Sequence, residues 1–434
     1  MTPGLVFLIM FGTLLILILL RVPVAFALAF SVIPILILTP ALTPILLLQR
    51  MMRQYGSFIL IAVPFFVLAA NLMNFAGITD RLMRLARAVV GFLPGGLGHM
   101  NVAVSMAFAG LSGSSNADAA GIGAVMIPAM EKEGYDKNFS VAVTACSAVM
   151  GVIIPPSIIM VIWGGVMNVS VGGLFLAGIV PGILIGLTQM GLVYGYALRR
   201  DYPRVAGFSL KEALISLQKS LLALLSPVII VGGIAFGIVT PTEASMVAVL
   251  YSVFLGMIVY RTITVKDFFQ ILYDSVRLAS IVLFAVGTAA IYAWVLSFYR
   301  VPGFIVSQIG GFTTSPAFTL IIVAAIFLIV GMFIDAVPAA IIFGPLLQPV
   351  SAAVGIHPLH FSIVGCIALS YGLITPPYGL TLLISSEIAG INCMRPLKEV
   401  GSFLLGMLVV LLLVIFVPEV TLYVPQALMP SAFL

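Results

Sequence analysis

The chain has 434 residues, of which 62% are hydrophobic and only 8% charged, with a formal net charge of +5. A soluble globular protein carries about 25% charged residues and could not hide apolar runs of about 18–22 residues that recur along its whole length. A soluble enzyme is excluded, as is an outer-membrane barrel, because the runs are continuous rather than alternating; nor do basic residues clustered between apolar runs make a nucleic-acid footprint.

In chain order, full-length spans are expected at 3–20, 22–39, 57–77, 139–166, 172–197, 220–239, 242–260, 278–298, 359–386 and 400–420. The first lacks a basic start and a small-residue cleavage site, so it reads as retained rather than as a signal peptide. Two further regions, 91–131 and 303–351, are apolar but broken near their middles by polar or glycine-rich residues. Each half holds about 13 residues, roughly 20 Å of helix, short of a ~30 Å hydrocarbon core. They read as re-entrant hairpins whose tips face an enclosed cavity, since irregular backbone at membrane depth is tolerated only there. The linker 199–219, "RRDYPRVAGFSLKEALISLQK", is basic and amphipathic and is expected on the inner membrane surface.

With the N-terminus outside, this arrangement sorts the charges. Of the 19 Lys and Arg residues, only Arg50, Arg53 and Arg300 fall in outer loops, and Arg21, Lys132, Lys137, Arg199 and the others fall inside. That bias follows the positive-inside rule and places both termini outside the cytoplasm.

A repeat underlies the pattern. A shift of 221 residues pairs Gly110 with Gly331, Ala119 with Ala340, Gly123 with Gly344, Pro128 with Pro349 and Gly151 with Gly372. It also pairs Pro155-Pro156 with Pro376-Pro377. The organisation that follows is N-terminal scaffold helices (1–56), a first repeat (57–198), linker and scaffold helices (199–277), a second repeat (278–420) and a tail (421–434). Five spans start between the two repeat starts, so the second repeat enters the membrane inverted. Inverted repeats with broken helices are the architecture of secondary transporters.

The chemistry gathers at the breaks. In "LSGSSNADAAG" (111–121) one half-helix ends and another begins, so a carbonyl-rich end suited to a cation meets an N–H-rich end suited to an anion. Ser112, Ser114 and Ser115 add hydroxyls, and Asp118 is expected to cap the second half-helix. The partner element is "MGVIIPPSI" (150–158), where two prolines remove backbone donors and free nearby carbonyls. Ser112, Gly113, Ser114, Gly151, Ile154 and Pro155 form the first expected sodium cage. "GMFIDAVP" (331–338) and "GLITPPYG" (372–379) repeat it, with Asp335 in place of Ser114. Gly331, Asp335, Gly372 and Thr375 form the second cage. An intramembrane carboxylate is a functional residue by default, although Asp335 is equally well placed as an N-cap, and one side chain can serve both roles.

Other signals are structural. "TPTEA" (240–244) reads as a capping box, with Pro241 first in its helix and Glu243 reaching back to Thr240. His357 and His360 have no carboxylate neighbours to make a metal site. "GGLGHMN" (95–101) lacks the ending of a phosphate loop, and no H-E-x-x-H is present. Cys146, Cys366 and Cys393 offer neither a disulfide framework nor a zinc motif.

Taken together, "GLSGSSNADAAGIGAVMIPAMEKEGYD", "IIPPSI", "GIVTPTEA" and "GLITPPYGL" resemble the large membrane subunit of the tripartite ATP-independent periplasmic (TRAP) transporters, the DctM type, over essentially the whole chain. The resemblance implies an all-α polytopic permease of the bacterial inner membrane with the ion-transporter-superfamily fold, working as an elevator. It implies Na⁺ as the coupling ion at the two cages and an organic acid between them, near Ser114, Ser115, Asn116, Thr375 and Pro376. It further implies two partners, a small four-helix membrane subunit supplied as a separate polypeptide and a periplasmic substrate-binding protein. A stand-alone carboxylate symporter of the same superfamily is the alternative.

Overall fold

The computed structural model describes residues 1–433 except 21, 40, 41, 206, 208 and 311–313. Arg21, counted above among the inner cations, and residues 311–313 of the second expected hairpin lie outside the described residues. All regular elements among the described residues are helical. Among the described residues seven helices are long and apolar enough to cross a membrane, one of them the hairpin arm Ala336–Ala353, and this is a multi-pass membrane protein.

Most expected spans are present, with changed boundaries. The segment 22–39 divides into Val24–Ser31 and Ile33–Leu38. The span expected at 278–298 is the later part of a 34-residue helix, Val265–Phe298. At 1.5 Å per residue that helix is roughly 51 Å long, so its charged first turns, with Lys266, Asp267, Asp274 and Arg277, extend past a ~30 Å core. Two amphipathic helices, Pro44–Tyr55 and Ile78–Val90, fall between expected spans. The linker also differs from expectation. Residues 210–219 open the continuous helix Leu210–Ala235 rather than lying apart on a surface. The linker's first residues are bound to the base of the first hairpin, where the Gly95 and Gly96 N–H groups donate to the Tyr202 and Pro203 carbonyls at 3.3 and 3.2 Å.

The first hairpin consists of Gly96–Ser112 and Ser115–Lys132. Its arms run antiparallel, because Ser112 reaches Asp118 across the tip while Asn101, farther back, reaches Met130. The arms hold 17 and 18 residues, longer than the sequence indicated. The second hairpin is Pro316–Gly331 with Ala336–Ala353, preceded by a separate helix, Val301–Gly310. Each hairpin is followed by a broken span, Lys137–Ala148 with Ile158–Met167 in the first repeat and Pro358–Gly372 with Leu380–Ile388 in the second. The Pro-Pro peptide bond is cis in both. Helix ends coincide under the 221 shift: Lys132 with Ala353, and Met167 with Ile388.

Polar bonds join the first hairpin to its broken span. Asn101 donates to Thr144 at 2.7 Å and Ser105 to Ser147 at 2.9 Å, all four residues being buried. Interhelical hydrogen bonds of this kind contribute on average about 0.6 kcal/mol each in a bilayer.

The outer arms of the broken spans are exchanged. Leu380–Ile388 packs on the first hairpin, and Ile158–Met167 packs on the second. A Cβ at Gly123 would meet Ile388, and one at the shifted position Gly344 would meet Met167. The two contacts are reciprocal between the repeats.

Glycine is required where hairpins meet broken spans. A Cβ on Gly372 would stand 2.9 Å from the Gly331 carbonyl oxygen, and a Cβ on Gly331 would stand 2.6 Å from the Leu369 carbonyl oxygen. Neither backbone can yield without separating the two helices. Gly372→Ala is therefore expected to lower stability by about 1–3 kcal/mol, the usual cost of overpacking. Gly191→Ala, in a helix position with nothing within 4 Å, should be neutral or slightly stabilising. Melting of both variants in detergent checks the contrast.

Candidate functional site

Both tips open onto one cavity of about 430 Å³. The first tip supplies Ser112 to Ala117, the second Asp335, Ala336 and Val337. The facing wall comes from Ala62–Phe75, through Val67, Ala70 and Asn71, and from Val265–Phe298, through Leu278, Ile281 and Val282. No Lys or Arg stands among the described lining residues, and Asp335 is the one ionisable side chain there.

At the first tip Gly113 adopts φ +63°, and a Cβ there would lie 2.8 Å from the Pro156 carbonyl oxygen. The Gly113 carbonyl accepts from the Ile158 N–H at 3.2 Å, so the tip ties directly to the start of the broken span's outer arm. Ser114 is the N-cap of the second arm, accepting from the Ala117 N–H at 3.5 Å. The sequence assigned that cap to Asp118, which the structure corrects. Asp118 stands a turn inside the helix, and its carboxylate turns back to accept from the Ser112 hydroxyl. It is fully buried, and its Oδ2 has no hydrogen-bond partner among the described residues. Gly151 leaves space for it, since a Cβ there would lie 3.0 Å from the Asp118 Cγ. A buried carboxylate oxygen without a donor is costly, and protonation, a cation or an added donor would relieve it.

The second tip repeats the scheme. The Met332 carbonyl accepts from the Tyr378 N–H at 3.0 Å. Asp335 is the N-cap of Ala336–Ala353, its Oδ1 accepting from the Ala336 N–H at 2.9 Å. Asn116 of the first tip lies near the Asp335 carboxylate, and the two tips meet at the cavity. The first residues of each second arm, Ser115 to Ala117 and Ala336 with Val337, line the cavity, and the Ala117 and Ala336 N–H groups among them are taken by the caps.

Of the residues singled out in the sequence, Ser112, Gly113, Ser114, Ser115, Asn116 and Asp335 line this cavity. Gly151 and Gly372 lie directly behind the tips, Gly372 against Gly331. Ile154 packs on Gly182, and the Pro155 carbonyl points toward Gly110. The Thr375 hydroxyl donates to the Tyr371 carbonyl at 2.8 Å, and Leu373, rather than Thr375 or Pro376, stands on the described cavity wall. Asn71 on the facing wall carried no motif, and Asp118 was assigned another role. The signal for Asp118 was present: a carboxylate six residues from Ser112 across a helix break.

The remaining sequence motifs resolve as structure. Thr240 and Glu243 form the capping box, with the Thr240 N–H donating to Glu243 at 2.7 Å. His357 caps Pro358–Gly372, and the His360 ring pairs with the Thr421 hydroxyl at 2.8 Å.

Comparison with known proteins adds the following. The model of the family described as "Tripartite ATP-independent periplasmic transporter, DctM component" matches residues 11–420. The sialic acid TRAP transporter large permease protein SiaM of Vibrio cholerae serotype O1 is 37% identical over 404 residues, covering 93% of this chain and 95% of its own. The C4-dicarboxylate TRAP transporter large permease protein DctM of Pseudomonas aeruginosa is 37% identical over 367 residues, 85% of this chain and 86% of its own. The 2,3-diketo-L-gulonate TRAP transporter large permease protein YiaN of Escherichia coli K12 is 35% identical over 371 residues, 86% and 87% of the two chains.

The Ser112–Asp118 pair allows a direct energetic test. Ser112→Ala removes the one described donor to a buried carboxylate and should cost about 1–3 kcal/mol. In the Asp118→Ala background the same change should cost far less, the difference being a coupling of about 0.5–3 kcal/mol. A denaturation cycle in sodium-free detergent checks this.

Proposed function

The chain belongs to the DctM component family of the tripartite ATP-independent periplasmic transporters, and from that premise we propose how its cavity moves cargo. It is the large permease subunit of such a transporter and not an enzyme. In our reading it imports an organic acid across the bacterial inner membrane, coupled to Na⁺ and dependent on a periplasmic binding protein and a small membrane subunit. Relatives named for sialic acid, C4-dicarboxylate and 2,3-diketo-L-gulonate support the substrate class. The stand-alone alternative is disfavoured because these relatives, aligned over most of their length, are named as large permease proteins of TRAP transporters.

One observation carries the coupling. An anionic substrate must enter a cavity with one carboxylate on its wall, another buried behind Ser112, and no basic side chain among the described lining residues. In a low-dielectric site like charges repel strongly, so a cation must accompany the anion. Beside Asp118 the Ser112 hydroxyl adds a hard oxygen of the kind that suits Na⁺, and at the second tip Asp335 itself supplies one. The substrate carboxylate is then met by a half-helix N-terminus, which needs no side chain.

The repeats supply the movement. On the first hairpin's outer arm, Ala117 lines the cavity, Gly121 faces Asn74, and Ala124 and Pro128 are exposed. Of their shifted counterparts, Pro338 and Ile342 are buried, Pro345 is half-buried and Pro349 is exposed. There the second hairpin packs on Val265–Phe298, with Ile342 and Leu346 beside Ala293 and Leu296. In our reading the cavity is more open beside the first hairpin, near Ala117 and Gly121, than beside the second, near Pro338 and Ile342. With the repeats inverted, exchanging the two arrangements opens the opposite side of the membrane. The exchanged outer arms bind both hairpins into one body, which supports an elevator moving against Ala62–Phe75 and Val265–Phe298.

Uptake into proteoliposomes carrying both partners should require a sodium gradient, and equal uptake on a pH gradient without sodium would contradict the coupling. Asp335→Asn keeps a good N-cap but loses the charge. It should yield folded protein with a raised sodium requirement and at least tenfold weaker transport. Ser114→Ala, which removes one neutral oxygen, should do less harm. Uptake measured against sodium concentration for both variants decides whether Asp335 is more than a cap.

A further inference from the structure

Two side-chain amides face the cavity, Asn71 from the helix Ala62–Phe75 and Asn116 from the first tip. Their neighbours fix which end of each amide is free. The Ser275 hydroxyl donates its proton to the Ile271 carbonyl at 2.7 Å, so toward Asn71 its oxygen can only accept. Asn71 accordingly turns its NH₂ group to Ser275, at 2.8 Å. Its carbonyl oxygen is left for another partner.

Asn116 reaches the same condition by a different route. It lies beside Asp335, and an ionised carboxylate accepts only, so the NH₂ end is again the one engaged. The Asn116 carbonyl oxygen is buried and has no hydrogen-bond partner among the described residues. The cavity therefore offers a free acceptor from the helix wall and another from the tip. Between them the lining is largely aliphatic, with Val67, Val152, Ile159, Leu278 and Val337. One tip hydroxyl adds a donor: Ser114 lines the cavity and accepts from the Ala117 N–H, and no described residue takes its own proton. The Ser112 proton goes to Asp118, and Ser115 donates to the Val149 carbonyl at 3.5 Å.

We propose that these two amide oxygens select the substrate, and that it is a hydroxylated monocarboxylate of the sugar-acid class. Its carboxylate takes a half-helix N-terminus, and its hydroxyl or amide N–H donors meet Asn71 and Asn116. An unsubstituted dicarboxylate fits poorly, because its second carboxylate faces acceptor oxygens and Asp335 instead of a basic side chain. An unsubstituted monocarboxylate leaves both acceptors without a donor, at a cost of roughly ten- to hundredfold in affinity. The inference rests on the reading of this cavity as the substrate site.

The test is titration calorimetry on the purified complex of this chain with its small membrane subunit, in sodium. The probes are sugar acids of four to nine carbons, the matching unsubstituted monocarboxylates, and succinate. At least one sugar acid should bind at least tenfold more tightly than its unsubstituted counterpart and than succinate. Asn71→Leu should remove most of that preference, and Asn71→Gln, which keeps an acceptor, should retain part of it. Stabilisation by sodium in melting shows that each variant is folded. Tighter binding of succinate, equal binding of matched acids, or a preference that survives Asn71→Leu would overturn the inference while leaving the cavity as a carboxylate site. If no acid of any kind binds in sodium, the reading of the cavity fails first, and the inference fails with it.

Discussion

The fold depends on one constraint: backbone interrupted at membrane depth must find hydrogen-bond partners within the protein. Two hairpin tips and two Pro-Pro segments are breaks of this kind, and each tip is answered by a Pro-Pro segment. The Gly113 carbonyl takes the Ile158 N–H, and the Met332 carbonyl takes the Tyr378 N–H. Tip and broken span therefore come as a pair, and neither is stable at that depth alone. The same pairing dictates where side chains must be missing. Gly113, Gly151 and Gly372 stand where a Cβ would strike backbone or the Asp118 carboxylate.

From this pairing the functional geometry follows. Because each tip is held at a break, the N-terminus of each second arm is fixed on the cavity wall, with Asp118 or Asp335 beside it. The outer arms are exchanged, Ile388 against Gly123 and Met167 against Gly344, so each hairpin is packed against the other repeat. In the proposed scheme a cation at either tip thereby acts on a single moving body. The helices Ala62–Phe75 and Val265–Phe298 contribute a mainly aliphatic wall, across which that body would slide in the same scheme, with Asn71 its polar exception among the described lining residues.

Much of this was legible in the sequence. Residues that break helices in lipid are few and conspicuous, so the tips, the Pro-Pro segments and their 221-residue spacing stood out. What escaped notice depends on tertiary contact. Asp118 looked like a cap because it closely follows a break, but Ser114 occupies the cap position and leaves Asp118 to Ser112. Asn71 is one amide in an apolar run, and only its place opposite the tips gives it meaning. Ile78–Val90 carries Arg81, Arg84 and Arg87, and a search for uninterrupted apolar runs passes over such a helix. The exchange of outer arms could not be read at all, since Ile388 and Gly123 lie far apart along the chain.

The central claim is that the open and shut sides of the cavity are the same structure with the repeats exchanged. Accessibility of Gly121→Cys and Ile342→Cys, partners under the 221 shift, tests it most directly in oriented proteoliposomes with a membrane-impermeant thiol reagent on a background lacking the native cysteines. In the state described here Gly121→Cys should react from the inner side and Ile342→Cys should be protected, as its burial requires. Conditions that drive the transporter to the opposite state should reverse both, with Ile342→Cys reacting from the outer side. Labelling of both positions from one side, or a pattern that no condition changes, would contradict the account.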